Sequence, residues 1–403
     1  MSIIVQKYGG SSLADKDKIM QVADKIIKKF KKGKKLVVVA SAMGNTTDNL
    51  IEKMEKITEN PDPREADMLL TTGEQMSIAL LTMAIQEKGY PAISLTGSQV
   101  DITTDDQHNK AEIIKIDNTR IKNELEKNKI VVVAGYQGIN SRDDFTTLGR
   151  GGSDTTAVAL AVSLNAEQCE IYSDVEGIYT ADPRIVPGAK KLDYISYDEM
   201  LELANMGAEV LHPRAVELAK AFNLTIYIAS SFNEKTGTLI KEVKAMEKRK
   251  SVTGVTSDEN EVKITIEDVP DEPGVAGKIF SRLAEENVNI DMIIQNLQHN
   301  NLNDITFTVN ENDLAKSENI IKKMAQKFNS GEVLIDENVA KVSIVGAGMI
   351  STPGIAAKMF RTLGKEGINI QMITTSDIKI SCLIDRELAD HAVEAIHDNF
   401  DLD

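Results

Sequence analysis

One passage of this chain is written twice. "PGVAGKIFSRLAEENVNIDMI" (residues 273–293) aligns without gaps on "PGIAAKMFRTLGKEGINIQMI" (residues 353–373), 80 positions later, with 11 of 21 residues identical. Two copies of one pattern must build two copies of one unit, which constrains folding more than any single motif. Strand patterns precede both copies ("VKITI" from Val262, "KVSIV" from Lys341) and follow both ("DITFTV" from Asp304, "KISCLI" from Lys379). A helical segment closes each, at 311–328 and 386–399. Each unit therefore reads β-α-β-β-α-β, the ferredoxin-like split motif. Two copies are too few for a solenoid, so two small sheets with a ligand seam between them are expected.

The first 230 residues follow another rule. Short apolar or β-branched runs at 36–41, 92–95, 130–134, 169–172 and 225–229 alternate with helical patterns at 15–32, 65–88, 153–165 and 209–222. Near-continuous apolar strands between helices predict a mainly parallel sheet covered on both faces, a three-layer α/β/α domain. The charged stretch "KEVKAMEKRK" (241–250) marks the boundary.

A net charge of −16 repels nucleic acid and anionic membrane, so an anionic ligand needs local cations. The one basic run, "KKFKKGKK" at 28–35, reads as a helix end: lysines complement the dipole and Gly33 forms the stop. Two cysteines, Cys169 and Cys382, are too few for a disulfide framework and fit a reducing cytosol. No apolar run approaches the ~20 residues of a membrane span. The five histidines show no ligand spacing.

Four motifs carry chemistry. "QKYGGSS" (6–12) ends a strand pattern in Lys7, Gly9 and Gly10, where close-approaching backbone and a positive charge suit an anion, although the order is not that of a P-loop. "SAMGNTTDNL" (41–50) follows a buried strand and offers Ser41 and Thr47. In "TLGRGGSDTTAVALAVSL" (147–164), Gly151 and Gly152 lead into an apolar helix with Ser153 as expected N-cap and Asp154 in the first turn. Arg150 there presents a fork suited to a carboxylate. "YSDVEGIYTADPRIVPGA" (172–189) is a polar loop after a strand, where open α/β sheets bind ligands. Glu74 is an acid inside an otherwise apolar helical stretch.

Together these motifs resemble, over essentially the full length, the aspartokinases of the amino-acid-kinase superfamily, with two ACT-type regulatory units after the kinase domain. The resemblance implies ATP-dependent phosphorylation of the aspartate side chain, with Mg²⁺ entering on ATP. It makes Lys7 and Asp154 the catalytic pair, with the Gly9 and Gly10 amides cradling phosphate. Ser41, Thr47, Glu74, Arg150, Gly151 and Gly152 would hold L-aspartate, Arg150 on its α-carboxylate and Glu74 on its ammonium. Lys7, Tyr8, Gly9, Gly10, Ser173, Asp174, Tyr179, Asp182 and Arg184 would line the nucleotide. Relatives often carry lysine where this chain has Glu209, which puts a nucleotide contact there in doubt. A carboxylate nucleophile, ionised above a pKa of about 4, needs no general base. The alternatives are a kinase of another amino-acid carboxylate and a catalytically silent amino-acid sensor.

The same resemblance implies a kinase domain over 1–245, a first ACT unit over 262–337 and a second made from 246–261 plus 338–403. It implies a cytoplasmic homo-oligomer paired through ACT units, and a possible shorter regulatory chain starting at Met246. Feedback by lysine, threonine or both is expected. The first copy adds carboxylates at Asp271 and Asp291, where the second has Gln371 opposite Asp291. Asp271, Gly274, Asn289, Asp291 and Gln295 are therefore the expected effector site.

Overall fold

The computed structural model describes residues 2–206, 210–243, 251–297 and 301–403. Glu209 and Met246 lie outside the described residues. The chain forms two compact units. One comprises Met1–Ile178, Lys191–Ala204 and Glu209–Lys244; the other comprises Tyr179–Lys190, Asn205–Ala208 and Ala245–Asp403.

The first unit is built on an eight-stranded sheet. Its strand order is Tyr194–Ile195, Thr238–Ile240, Ile226–Ser230, Gln168–Ser173, Ile3–Tyr8, Lys35–Ala40, Ile130–Ala134 and Ala92–Leu95. Every pairing is parallel except that between Ile226–Ser230 and Thr238–Ile240. Valine and isoleucine runs are buried on both sides, as a covered parallel sheet requires. Strand alternation sends Ile4, Leu36, Val38, Ile130 and Val132 to one face, where they pack with Ile26 of the Lys16–Phe30 helix and Leu81 of the Thr72–Glu87 helix. The Gly152–Ser163 helix covers the other face. A small sheet of Ile113–Ile116, Ile102–Thr104, Gln137–Ile139 and Phe145–Thr147 sits in the same unit; strands this short carry no periodicity and escaped the sequence reading.

Pro63–Glu87 departs from expectation. By length and composition this helical stretch could cross a membrane, whereas the sequence reading found no run of that size. Fifty-six per cent of its apolar window is buried inside the protein, and Ile78, Leu81 and Ile85 pack into the sheet core. It is a core helix.

The second unit holds two four-stranded antiparallel sheets. One is made from consecutive chain, with the strands side by side in the order Ile290–Leu297, Leu302–Asn310, Glu261–Pro270, Val333–Asp336. In the other, Val339–Val345, Lys379–Asp385 and Met372–Thr375 are completed by Gly254–Asp258, a strand that precedes the whole first sheet. The helices of the repeat, Val275–Glu285 and Ile355–Lys365, keep the 80-residue offset, and each starts after a left-handed glycine, Gly274 (φ 92°) and Gly354 (φ 93°). Tyr179–Lys190 joins this unit because Ala181 and Val186 enter the second sheet's apolar core. The Thr180 carbonyl accepts from the Val255 N–H at 2.8 Å. Thr180 Oγ1 also lies 2.9 Å from Nε2 of the buried His397. His397, Asp398 and Asp403 bring possible ligand atoms within 4.8 Å of one another, a grouping the histidine spacing had not suggested.

Candidate active site

Lys7 is part of the strand Ile3–Tyr8 rather than of the turn after it, flanked by Lys35–Ala40 and Gln168–Ser173. Its side chain emerges on the face covered by the Gly152–Ser163 helix. There its Nζ meets Asp154 Oδ1 at 2.6 Å, with both side chains nearly buried. Two charges removed from water hold each other only at such short range.

Glycines fix the chain around this pair. The Gly9 N–H donates to the Tyr172 carbonyl at 3.1 Å, so its amide is spent on the sheet and is not part of a phosphate cradle. Gly10 permits contact between two loops: a Cβ there would lie 2.6 Å from the Ala42 carbonyl oxygen. Ser41, half-buried, donates its N–H to the Tyr8 carbonyl at 3.1 Å, and half-buried Thr47 lies in the first turn of Thr46–Glu55. Tyr8, expected beside the nucleotide, turns its ring to the opposite face and stacks on Tyr172 at 5.1 Å; only its main chain stays with the site.

The loop before the helix is bent at Gly149 (φ 76°) and Gly151 (φ 69°), with exposed Arg150 between them. Gly151, not Ser153, is the N-cap: the helix starts at Gly152, and Ser153 packs inside the first turn against Gly135. The Gly152, Asp154 and Thr155 amides are engaged by Gly149 and Gly151 carbonyls, so few helix-start donors remain for an anion. A Cβ on Gly151 would strike His212, at 2.3 Å from its Cβ and 2.4 Å from its ring. His212 caps the Pro213–Ala221 helix, and burial pushes its imidazole pKa down against the pull of Asp154.

Glu74 is buried in the first turn of Thr72–Glu87. Oε1 accepts the Ala42 N–H at 3.1 Å, while Oε2 has no partner. Burial raises its carboxyl pKa to about 7. Seven residues earlier, wholly buried Asp67 accepts from Thr147 Oγ1 (2.5 Å) and the Asn109 N–H (3.2 Å), and contacts His108 Nδ1 (2.7 Å). Arg214 donates to the carbonyls of Leu148 (3.1 Å) and Ala111 (2.8 Å), holding the stretch that leads to Arg150. The sequence reading missed Asp67, His108, Thr147, His212 and Arg214. The spacing of Asp67 from Glu74, two helical turns on one face, was the signal available for the first.

Ser173 ends its strand and accepts the Val175 N–H at 3.4 Å, and Asp174 is exposed. Tyr179, Asp182 and Arg184 belong to the second unit, where the Arg184 guanidinium grips both Asp182 oxygens. Among the expected effector residues, Asp271 accepts from the Asn303 amide at 2.9 Å, and Asn289 and Gln295 are exposed. Asp291 is not waiting for a ligand's ammonium: Lys341 of the second sheet meets it at 2.5 Å. Opposite, Lys263 contacts Gln371, on the wall of a cavity of about 450 Å³ between the two small sheets.

A lysine–aspartate pair between a glycine turn and a helix start on a parallel sheet, in a chain that continues into two antiparallel α/β repeats, defines an amino acid kinase with ACT domains. The amino acid kinase family model matches residues 2–230, and ACT domain models match 264–326 and 342–400. The aspartate kinase of Pseudomonas putida is 48% identical over 405 residues, spanning 100% of this chain and 98% of its own. The aspartokinase of Geobacillus stearothermophilus is 47% identical over 402 residues, with the same coverage. The chain belongs to the aspartate kinase family. Among solved structures, E. coli aspartokinase III in complex with aspartate and ADP (R-state) superposes with a TM-score of 0.83 at 25% identity, covering 98% of this chain and 99% of that one. The same enzyme in complex with lysine and aspartate (T-state) gives 0.75 at 25% identity, covering 99% of each.

Proposed function

We propose that the chain transfers the γ-phosphoryl group of ATP to the side-chain carboxylate of L-aspartate, giving 4-phospho-L-aspartate and ADP. The observation that carries this reading is the nearly buried Lys7–Asp154 pair; Cys169, within electrostatic reach of it, is fully buried with its thiol pKa pushed up, so it is not an activated nucleophile. An aspartate carboxylate is already ionised at neutral pH, so the site has to align reactants and neutralise charge. Lys7 would offset charge on the transferring phosphoryl group, and Asp154 would position Lys7 without taking a proton. The Gly10 amide, rather than that of Gly9, would be the glycine donor toward phosphate. Arg150 would hold the substrate α-carboxylate between its two flexible glycines, and Glu74 Oε2 would receive the ammonium. Ser41 and Thr47 would complete the substrate pocket, and Ser173 and Asp174 the nucleotide side. With Asp154 committed to Lys7, Mg²⁺ is best regarded as part of the MgATP substrate.

The regulatory half fits feedback inhibition by lysine or threonine, in a cytoplasmic homo-oligomer assembled through ACT units. We take the domains as 1–245 (except that the Tyr179–Lys190 loop packs with the regulatory half), 262–337, and 246–261 with 338–403, Gly254–Asp258 being the strand that the second ACT unit borrows. The test uses the full chain with MgATP, hydroxylamine and a panel of amino acids. Acyl phosphate is trapped as hydroxamate, so colour with aspartate alone is expected. Colour with glutamate or N-acetylglutamate instead would shift the substrate, and none with any would favour a silent sensor.

A further inference from the structure

The basic run near residue 30 does more than end a helix. Lys25, Lys28 and Lys29 share one face of the Lys16–Phe30 helix, Lys32 follows in the turn beyond it, and all four line a single cavity of about 390 Å³. A dipole complement accounts for lysines in the last turn but not for four that converge on one hollow.

The floor of the hollow is a polar row on the sheet. Gln6, Glu170 and Tyr227 stand in register across three adjacent parallel strands. Glu170 is wholly buried and saturated: it accepts from Gln6 Nε2 (2.8 Å), Gln168 Nε2 (2.7 Å), Lys29 Nζ (2.5 Å) and the Tyr172 hydroxyl (3.0 Å). That carboxylate therefore fixes Lys29 and the floor and asks for nothing further. Lys25 Nζ sits 4.3 Å from the Tyr172 ring centroid and donates to the Ser230 carbonyl at 2.6 Å. One floor atom is left over: Gln6 Oε1 is buried without a partner, on a residue 1% exposed. An acceptor of this kind is met by a donor, a water or a ligand hydroxyl, while the lysines are the groups that meet the charge of an anion.

Four ammonium groups face two carboxylates, Glu170 and Glu234, leaving two positive charges in surplus. The Lys28–Glu234 pair is mostly solvent-exposed, so it can exchange for a better anion at small cost. Lysine is a point-charge partner for phosphate, and tyrosine rings accept an apolar or ring portion. We propose that this hollow binds a small phosphate-bearing anion of two to three negative charges, the surplus with Glu234 in place or displaced. It is separate from the active site, because Gln6 and Lys7 are neighbours on one strand with side chains on opposite faces. The overall charge of −16 disfavours a nucleic-acid polymer, and the concave floor favours a small molecule over an extended acidic peptide.

Inorganic pyrophosphate is the probe, titrated calorimetrically into the full chain, the Lys7→Ala variant and a Lys28→Ala/Lys32→Ala double variant. Both lysines of the double variant lie on the rim, so folding and hydroxamate activity should be retained. One binding event should persist in Lys7→Ala and weaken with added salt. In the double variant it should weaken about tenfold or more, from loss of two charge-assisted contacts. Absence of binding to the wild-type chain overturns the proposal. So does binding lost in Lys7→Ala but kept in the double variant, which would be occupancy of the active site. Binding of a poly-glutamate peptide without binding of pyrophosphate would overturn it in favour of a protein segment.

Discussion

Among the described residues, Lys7 and Lys341 are lysines almost withdrawn from water, and they are treated oppositely. Lys7, in the kinase sheet, has one carboxylate at 2.6 Å, and the second acid of its site, Glu74, keeps an oxygen without a partner. Lys341, between the two ACT sheets, has Glu261 at 2.6 Å, Asp291 at 2.5 Å and Asp258 at 3.8 Å. Burial alone would lower the Lys341 pKa, but Glu261 and Asp291 more than offset it and hold the ammonium above its ordinary range. The repeat explains the geometry, since Lys341 and Glu261 occupy matching positions 80 residues apart and meet across the seam. A charge left short of partners is available to a substrate; one surrounded by partners holds structure together.

The largest effect should come from the saturated site. Lys341→Ala leaves Glu261 buried and unpaired, a loss of about 3–5 kcal/mol. Urea unfolding followed by hydrogen exchange should locate that loss in the ACT strands; an unchanged transition would mean that water already reaches the seam. Lys7→Ala also strands a nearly buried carboxylate, Asp154, and so should cost some stability, but its distinguishing effect is a kcat lower by about 10²–10³-fold, the size of a lost charge-stabilising donor. Calorimetry with aspartate should find binding preserved, and an equal fall in affinity would move Lys7 from phosphate to substrate.

Glu74 sharpens the contrast further, because its deficit is readable in pH. Its folded pKa, about 7, lies above the ordinary 4.5, so the folded chain binds more protons than the unfolded one between those values. Stability therefore falls as pH rises from about 4.5 to about 7 and is flat beyond. Glu74→Gln should be more stable than wild type at pH 8 by up to about 3 kcal/mol, with no gain near pH 4. The same variant should bind aspartate poorly, and wild-type affinity for aspartate should rise as pH passes through 7. Thermal melts at the two pH values decide; a gain at both would remove ionisation as the cause. The smallest change expected is in Arg150→Ala, about a tenfold rise in aspartate KM with kcat little altered. An unchanged KM would exclude it as the carboxylate clamp.

Legibility in the sequence followed the kind of signal each feature leaves. The parallel strands and the ACT helices were readable because valine runs and a 21-residue repeat are dense, local patterns. Lys7, Glu74, Arg150 and Asp154 stood out as charges beside glycines or within apolar stretches. Asp67, His108, Arg214 and His212 did not, since each acts through a partner 40 to 100 residues away or through packing on Gly151. The Gly9 amide was misjudged for a related reason: whether a donor is free depends on the neighbouring strand, and Tyr172 takes it. Asp291 was chosen as a lone carboxylate; its lysine lies 50 residues away in the other sheet.

The borrowed strand Gly254–Asp258 sets an order of events during synthesis. Its partner begins to pair at Lys341, opposite Asp258, so roughly eighty residues, or about 4–16 s of translation, separate the two halves of that ladder. Unaided, closing so long a loop is slow and entropically costly. The first ACT unit removes the difficulty: Lys263, near its start, lies in register with Asp336 at its end. Once that unit has folded, the strands before and after it emerge side by side, and the long loop has become a short one. The first ACT unit thus acts as a clasp for the second, so a lesion in its core should delay maturation of a sheet to which it contributes no strand.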